Sequence, residues 1–147
     1  MSFQTDAIFI RALRSNSELT AMLPAGDVYN TSIPVPDEEL DNAPIPYIIV
    51  SFDGLQNEEG TKDSIYESST DRVQIGIEVV AKTRPNLCTL TEAIRKTVRE
   101  FFWNLPDSDE DYSLVPIDYT FTAQQVIYDP DKEAFGQVLT YQCEVNA

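Results

Sequence analysis

Histidine is absent from this chain, which removes the commonest general base and metal ligand available near neutral pH. The five glycines are scattered, none in a GxGxxG or Walker spacing, so no Gly-rich phosphate cradle is encoded. No GxSxG nucleophile elbow occurs either. Two cysteines, Cys88 and Cys143, are too few for a disulfide framework or a zinc quartet. Both read as small core-type residues, although Cys88 lies near a helix start, where a thiol can be acidified. No apolar run approaches the ~20 residues of a membrane span. The first residues lack the basic, apolar, small-residue order of a signal peptide, so cytoplasmic synthesis without a membrane partner is expected. Together these absences predict a protein that is not an enzyme, with no catalytic residue and no cofactor.

Basic residues are also scarce. Ten Lys and Arg stand against 25 Asp and Glu, a formal charge of −15. Binding a phosphate backbone needs the opposite sign, so specific nucleic-acid binding is not expected. An acidic surface keeps a protein soluble and lets DNA pass without adhering. Carboxylate pairs abound, but hydrolysis needs two at a fixed separation in a cleft, and no motif marks such a pair.

What is present is a core. A hydrophobic fraction of 42% with seven Phe, seven Tyr and one Trp suits a globular chain. Residues 1–147 read as one domain, able to bury roughly 70% of its unfolded surface. Val73, Ile75, Ile77, Val79 and Ala81 alternate with Arg72, Gln74, Gly76, Glu78 and Lys82, the period of a half-buried strand. After Thr83-Arg84-Pro85 the period becomes helical: Leu87, Leu90, Ile94, Val98, Phe101 and Leu105 share one stripe. The helix is expected to start at Asn86 or Thr89, with Thr89 and Glu92 as a capping box, and to end at Pro106.

An earlier helix is expected over Phe3–Arg14, burying Phe9, Ile10 and Leu13. A short segment capped by Asn16 or Ser17 follows, carrying Leu19, Met22 and Leu23. The proline-punctuated stretch from Ile33 to Pro46 should be extended and edge-like. Tyr47–Phe52 reads as a strand. Asp53–Thr70 reads as a long protruding loop in which Leu55, Ile65 and Tyr66 are candidates for contacting a partner. Ile117, Tyr119, Phe121 and Ala123 alternate, as do Leu139, Tyr141, Cys143 and Val145; Asp129-Pro130-Asp131-Lys132 supplies a turn between them. The predicted class is α+β: a mostly antiparallel sheet of about four to five strands, with a long helix and a shorter N-terminal helix packed on one face.

Two constellations bear on binding. Asp107, Asp109, Asp111 and Asp118 imitate the ligand spacing of a calcium loop, yet Tyr112 replaces the turn glycine and Asp118 the bidentate Glu, so the loop reads as solvated and no metal site is predicted. On the long helix, Trp103 projects with Lys96 and Arg99, away from the apolar stripe. Exposed Trp and Arg together have the composition of an interface hot spot. Arg95, Lys96, Arg99 and Trp103 are therefore the candidate subunit interface.

The order of elements resembles the tail-terminator, or tail-completion, proteins of long-tailed bacteriophages. The matching pieces are the N-terminal helix with Leu19-Thr20-Ala21-Met22-Leu23, Asp27-Val28-Tyr29, and Ala43-Pro44-Ile45-Pro46-Tyr47-Ile48-Ile49-Val50. They continue with Asp71 to Val79, Ala93-Ile94-Arg95 and Val138-Leu139-Thr140-Tyr141-Gln142. The resemblance covers nearly the whole chain through core positions and prolines. It implies a virion protein assembled in the host cytoplasm as a homo-oligomeric ring, usually of six subunits. Such a ring caps the tail tube and joins it to the head-completion or neck connector, with the tail sheath as a further candidate partner. DNA would pass through an acidic pore. The acidic content and the long Asp53–Thr70 excursion depart from the usual pattern. Another neck protein of similar fold and an acidic nucleic-acid mimic that inhibits a basic partner stay open as alternatives.

Overall fold

The computed structural model of the protein describes residues 2–30, 44–57, 70–104 and 118–146. A 3-10 turn at Ser2–Gln4 leads into α1, Thr5–Arg14, followed by α2, Ser17–Ala21, and β1, Tyr29–Asn30. Next come β2, Tyr47–Gln56; β3, Thr70–Ala81; and α3, Arg84–Asn104. The chain closes with β4, Asp118–Ala123; β5, Ile127–Asp129; and β6, Ala134–Asn146. The class is α+β, as its periodicities predict.

The six strands form one mixed sheet in the order β1-β2-β3-β6-β4, with β5 also paired to β6. β3 is central, antiparallel to β2 on one side and to β6 along its whole length on the other. Among the described strands only β1 is parallel, Tyr29 lying opposite Ile49. β4 and β5 share the outer edge of β6, so the expected hairpin closes through β5. Its turn is held by the Asp129 carboxylate, which accepts from the Asp131 N–H at 2.9 Å and the Lys132 N–H at 3.4 Å.

α1 and α3 cover one face of the sheet, α1 over β2 and β3, and α3 over β3 and β6. Strand alternation decides what lies between the layers. Val73, Ile75, Ile77 and Val79 of β3 point inward beside Leu139, Tyr141, Cys143 and Val145 of β6, all fully enclosed. Burying one such aliphatic side chain contributes roughly 1.5–3 kcal/mol, an upper value because unfolded chains already hide part of that surface. Phe9 of α1, Phe102 of α3 and Tyr141 meet at ring-centroid distances of 5.2 and 5.1 Å around Phe9, locking the helices to the sheet.

Three expectations are corrected. β2 runs on to Gln56, with a register shift between Phe52 and Gly54, so Asp53–Gln56 belong to a strand. The bulge preserves pairing while putting Leu55 opposite Val73. α3 begins at Arg84, not Asn86 or Thr89. The Thr83 hydroxyl accepts from the Asn86 N–H at 3.3 Å, and Pro85 sits in the first turn, where its missing donor has no helical partner to lose. Thr89 instead donates its hydroxyl to the Pro85 carbonyl at 3.0 Å. Cys88 is exposed and only Cys143 is a core residue, because Cys88 follows the buried Leu87 by one position around the helix. On the short segment around α2, Leu19 and Leu23 are buried while Met22 is 43% exposed.

Candidate assembly surfaces

α3 folds straight back over the sheet after β3, since Lys82 and Thr83 alone connect them. Its C-terminal end therefore reaches the level of the start of β3. Arg95 lies over Phe121 with 4.6 Å between guanidinium and ring centroid, and Phe102 meets Tyr119 one step nearer that end. The solvent face of α3 carries four basic residues (Arg84, Arg95, Lys96, Arg99) and two acidic ones (Glu92, Glu100), a local reversal of the chain's overall sign.

All four candidate interface residues are exposed on the solvent side of α3, and their side chains fan out across it. Arg95 turns toward the β4 edge through its stacking on Phe121. Lys96 turns the other way, 3.9 Å from Glu100 in a solvent-exposed i,i+4 pair. It lines an open groove of about 840 Å³ between α3 and the α1–α2 corner. Asn16 crosses that corner: its Oδ1 caps α2 and its Nδ2 donates to Thr97 Oγ1 at 2.9 Å. Arg99 and Trp103 remain together, one turn apart and both exposed, with Trp103 87% accessible.

Of the candidate loop residues, Leu55 alone is among the described residues. Leu55 lies in β2 and packs against the core, because the bulge turns it to the helix side. Ile65 and Tyr66 lie outside the described residues, as do Asp107, Asp109 and Asp111 of the calcium-like spacing. Among the described residues no cluster of three or more His, Cys, Asp or Glu is placed to hold a metal. No helix among them is long and apolar enough to cross a membrane.

The helix-free face of the sheet carries a second feature. Most of it is polar, with Ser51, Gln74, Thr120, Thr122, Thr140 and Gln142 at successive outward positions. At the end where β3 finishes, however, Tyr47, Val80 and Ala134 form a separate small apolar cluster. A cavity of about 190 Å³ opens there, bounded by β2, β3, β6 and the interruption between β4 and β5. Lys132 closes one side, its ammonium donating to Tyr47 Oη at 2.8 Å and lying 5.3 Å from that ring's centroid. The hydrogen bond to Tyr47 holds the Lys132 pKa above its ordinary value against a smaller opposing effect of burial. Glu78 and Asp129 line the same cavity, and Ile127, 67% exposed, stands at its rim. Sequence reading missed this feature, since its residues come from four strands and only the exposed Ile127-Tyr128 pair hints at it.

No protein-family model matches the sequence, and no curated protein does. Among solved structures, the fold matches a chain of the "virion of native gene transfer agent (GTA) particle" with a TM-score of 0.59 at 12% identity. The match covers 97% of this chain and 94% of that one. The two chains share a fold over essentially their whole lengths.

Proposed function

We propose that this protein is a structural virion component, a tail terminator that forms a homo-oligomeric ring, of six subunits, at the end of a tail tube. The observation that carries the reading is the end-to-end correspondence with a chain of a gene transfer agent virion. A fold alone does not specify function. Here it is joined by an exposed Arg99–Trp103 pair, a cavity with one apolar wall on the opposite sheet face and the absence of a Walker, nucleophile-elbow or histidine-based motif. The ring acts without chemistry of its own. It ends tube growth, joins the tube to the head-completion or neck connector, and meets the sheath where one is present. Its charge of −15 per copy repels the DNA backbone and eases passage of DNA through the pore.

An affinity tag on the chain, expressed from its native locus, tests this reading. Electron micrographs of purified particles should place the tag at the head–tail junction, and deletion of the gene should yield heads and tails that do not join. Particles lacking the tag, or intact joined particles after deletion, would overturn it.

A further inference from the structure

We infer that Trp103 of one copy inserts into the cavity beside Tyr47 and Lys132 of the next copy, making the ring contact head-to-tail; this rests on the ring reading above. α3 runs back along the sheet, so Trp103 sits on the helical layer at the level where β3 begins. The cavity opens on the helix-free face where β3 ends, beside Val80. Knob and socket are thus on opposite faces and opposite ends of the molecule. One copy cannot satisfy itself, and two copies related by a two-fold axis are not required. A contact between different patches of identical chains is heterologous and closes into a ring when its rotation divides a full turn.

Size and chemistry select an indole as the occupant. An apolar cavity of roughly 150 Å³ accommodates benzene. The cavity here, about 190 Å³, is partly open and has polar walls as well as the apolar one of Tyr47, Val80 and Ala134, and it has room for a larger flat ring with a polar edge, as an indole has. Trp103 is the one tryptophan of the chain and the most exposed of its large hydrophobic side chains among the described residues, at 87%. Lys132 offers an ammonium to an aromatic face entering the socket, as it already does to Tyr47. Charge agrees in sign: Arg99, one turn before Trp103, arrives at a wall where Glu78 and Asp129 outnumber the single cation Lys132. Gly136 is also in the lining, and a Cβ there would meet its nearest atoms at an ordinary 3.8 Å, so the socket can be filled without disturbing the strand.

The experiment follows tryptophan emission and sedimentation together from micromolar to millimolar chain. Wild-type protein should associate with a concentration-dependent blue shift as the indole leaves water. Trp103→Ala, Gly136→Phe and the rim variant Ile127→Arg should each weaken association roughly tenfold or more. Ile127 is so exposed that its variant keeps the fold even if Gly136→Phe does not. An equimolar mixture of Trp103→Ala with Ile127→Arg should stop at dimers, since each partner retains one half of the contact. Association without a blue shift, or undiminished in Trp103→Ala and Ile127→Arg, overturns the socket contact and leaves the ring reading to the particle test. A wild-type chain that stays monomeric throughout overturns the contact as well.

Discussion

Asn16 Nδ2 donates to Thr97 Oγ1 at 2.9 Å, tying two helices that lie 81 positions apart in sequence. The same side chain caps α2, its Oδ1 accepting from the N–H groups of Glu18 at 3.0 Å and Leu19 at 3.3 Å. Thr97 passes the link on, donating to the Ala93 carbonyl at 2.6 Å. A mid-helix threonine that would ordinarily weaken α3 is thereby given a partner on its buried side.

Asn16→Ala removes both the cap and the bridge. A cap is worth about 1 kcal/mol and a partly buried hydrogen bond a similar amount, so unfolding free energy should fall by roughly 1–3 kcal/mol. Asn16→Asp keeps an acceptor for the cap but no donor for Thr97 Oγ1, and should lose only part of that. Denaturant titrations of the two variants and of Thr97→Val, read as a double-mutant cycle, check the coupling.

Tyr141 offers the opposite case. Its ring packs against Phe9, Tyr119 and Phe121 at centroid distances of 5.1, 5.7 and 5.1 Å, yet its buried hydroxyl has no hydrogen-bond partner among the described residues. Burial pushes its pKa well above that of a free phenol. Tyr141→Phe keeps the ring and removes the orphan oxygen. It should leave stability unchanged or raise it by about 1 kcal/mol, whereas Tyr141→Ala should cost roughly 3–5 kcal/mol. Thermal unfolding of the pair distinguishes ring from hydroxyl.

Legibility in the sequence followed the strength of local periodicity. β3 and α3 declare themselves because the apolar spacing changes from two to 3.6 across a few residues, and each period dictates which face is buried. β2 is shortened on reading because Asp53-Gly54 looks like a turn, while the β3 register carries the strand past it through a bulge. The start of α3 is misplaced because Thr89 and Glu92 imitate a capping box, whereas it is the Thr83 hydroxyl that takes a first-turn N–H. For assembly, Arg99 and Trp103 are visible as an i,i+4 pair on one helix. The Tyr47–Lys132 cavity is not, because long-range pairing assembles it from four strands.

Gly76 illustrates how such pairing constrains a residue that local pattern treats as filler. It faces Ser51 across β2–β3, and a Cβ there would run into Asp53 Oδ2 and come within 2.9 Å of Ser51 Oγ. Those two side chains are joined, Ser51 donating to Asp53 Oδ1 at 2.7 Å. Gly76→Ala should therefore destabilise the sheet by roughly 1–3 kcal/mol, despite alanine's better backbone entropy. In an Asp53→Ala background the serine hydroxyl can turn away, and most of that cost should vanish. Chemical denaturation of the single and double variants supplies the comparison; equal costs in both backgrounds would refute the steric account.

Alkaline pH should expose the buried thiol. Cys143 is fully enclosed between β3 and β4, and burial pushes its pKa up to about 12. In the unfolded chain it titrates at about 8.5. Between these values the unfolded state has lost a proton that the native state keeps, so native stability falls as pH rises, by up to about 1.4 kcal/mol per pH unit for this one group. Tyr141 and Lys132, both also shifted upward, add losses of the same sign, but from higher starting pH. Cys143→Ala should flatten the first part of the decline and leave the later part in place, measured as unfolding free energy at successive pH values. At neutral pH a thiol reagent should modify the exposed Cys88 alone in the native protein and both cysteines after denaturation. Rapid modification of Cys143 in the folded chain would show that the β3–β6–β4 core opens far more readily than its packing allows.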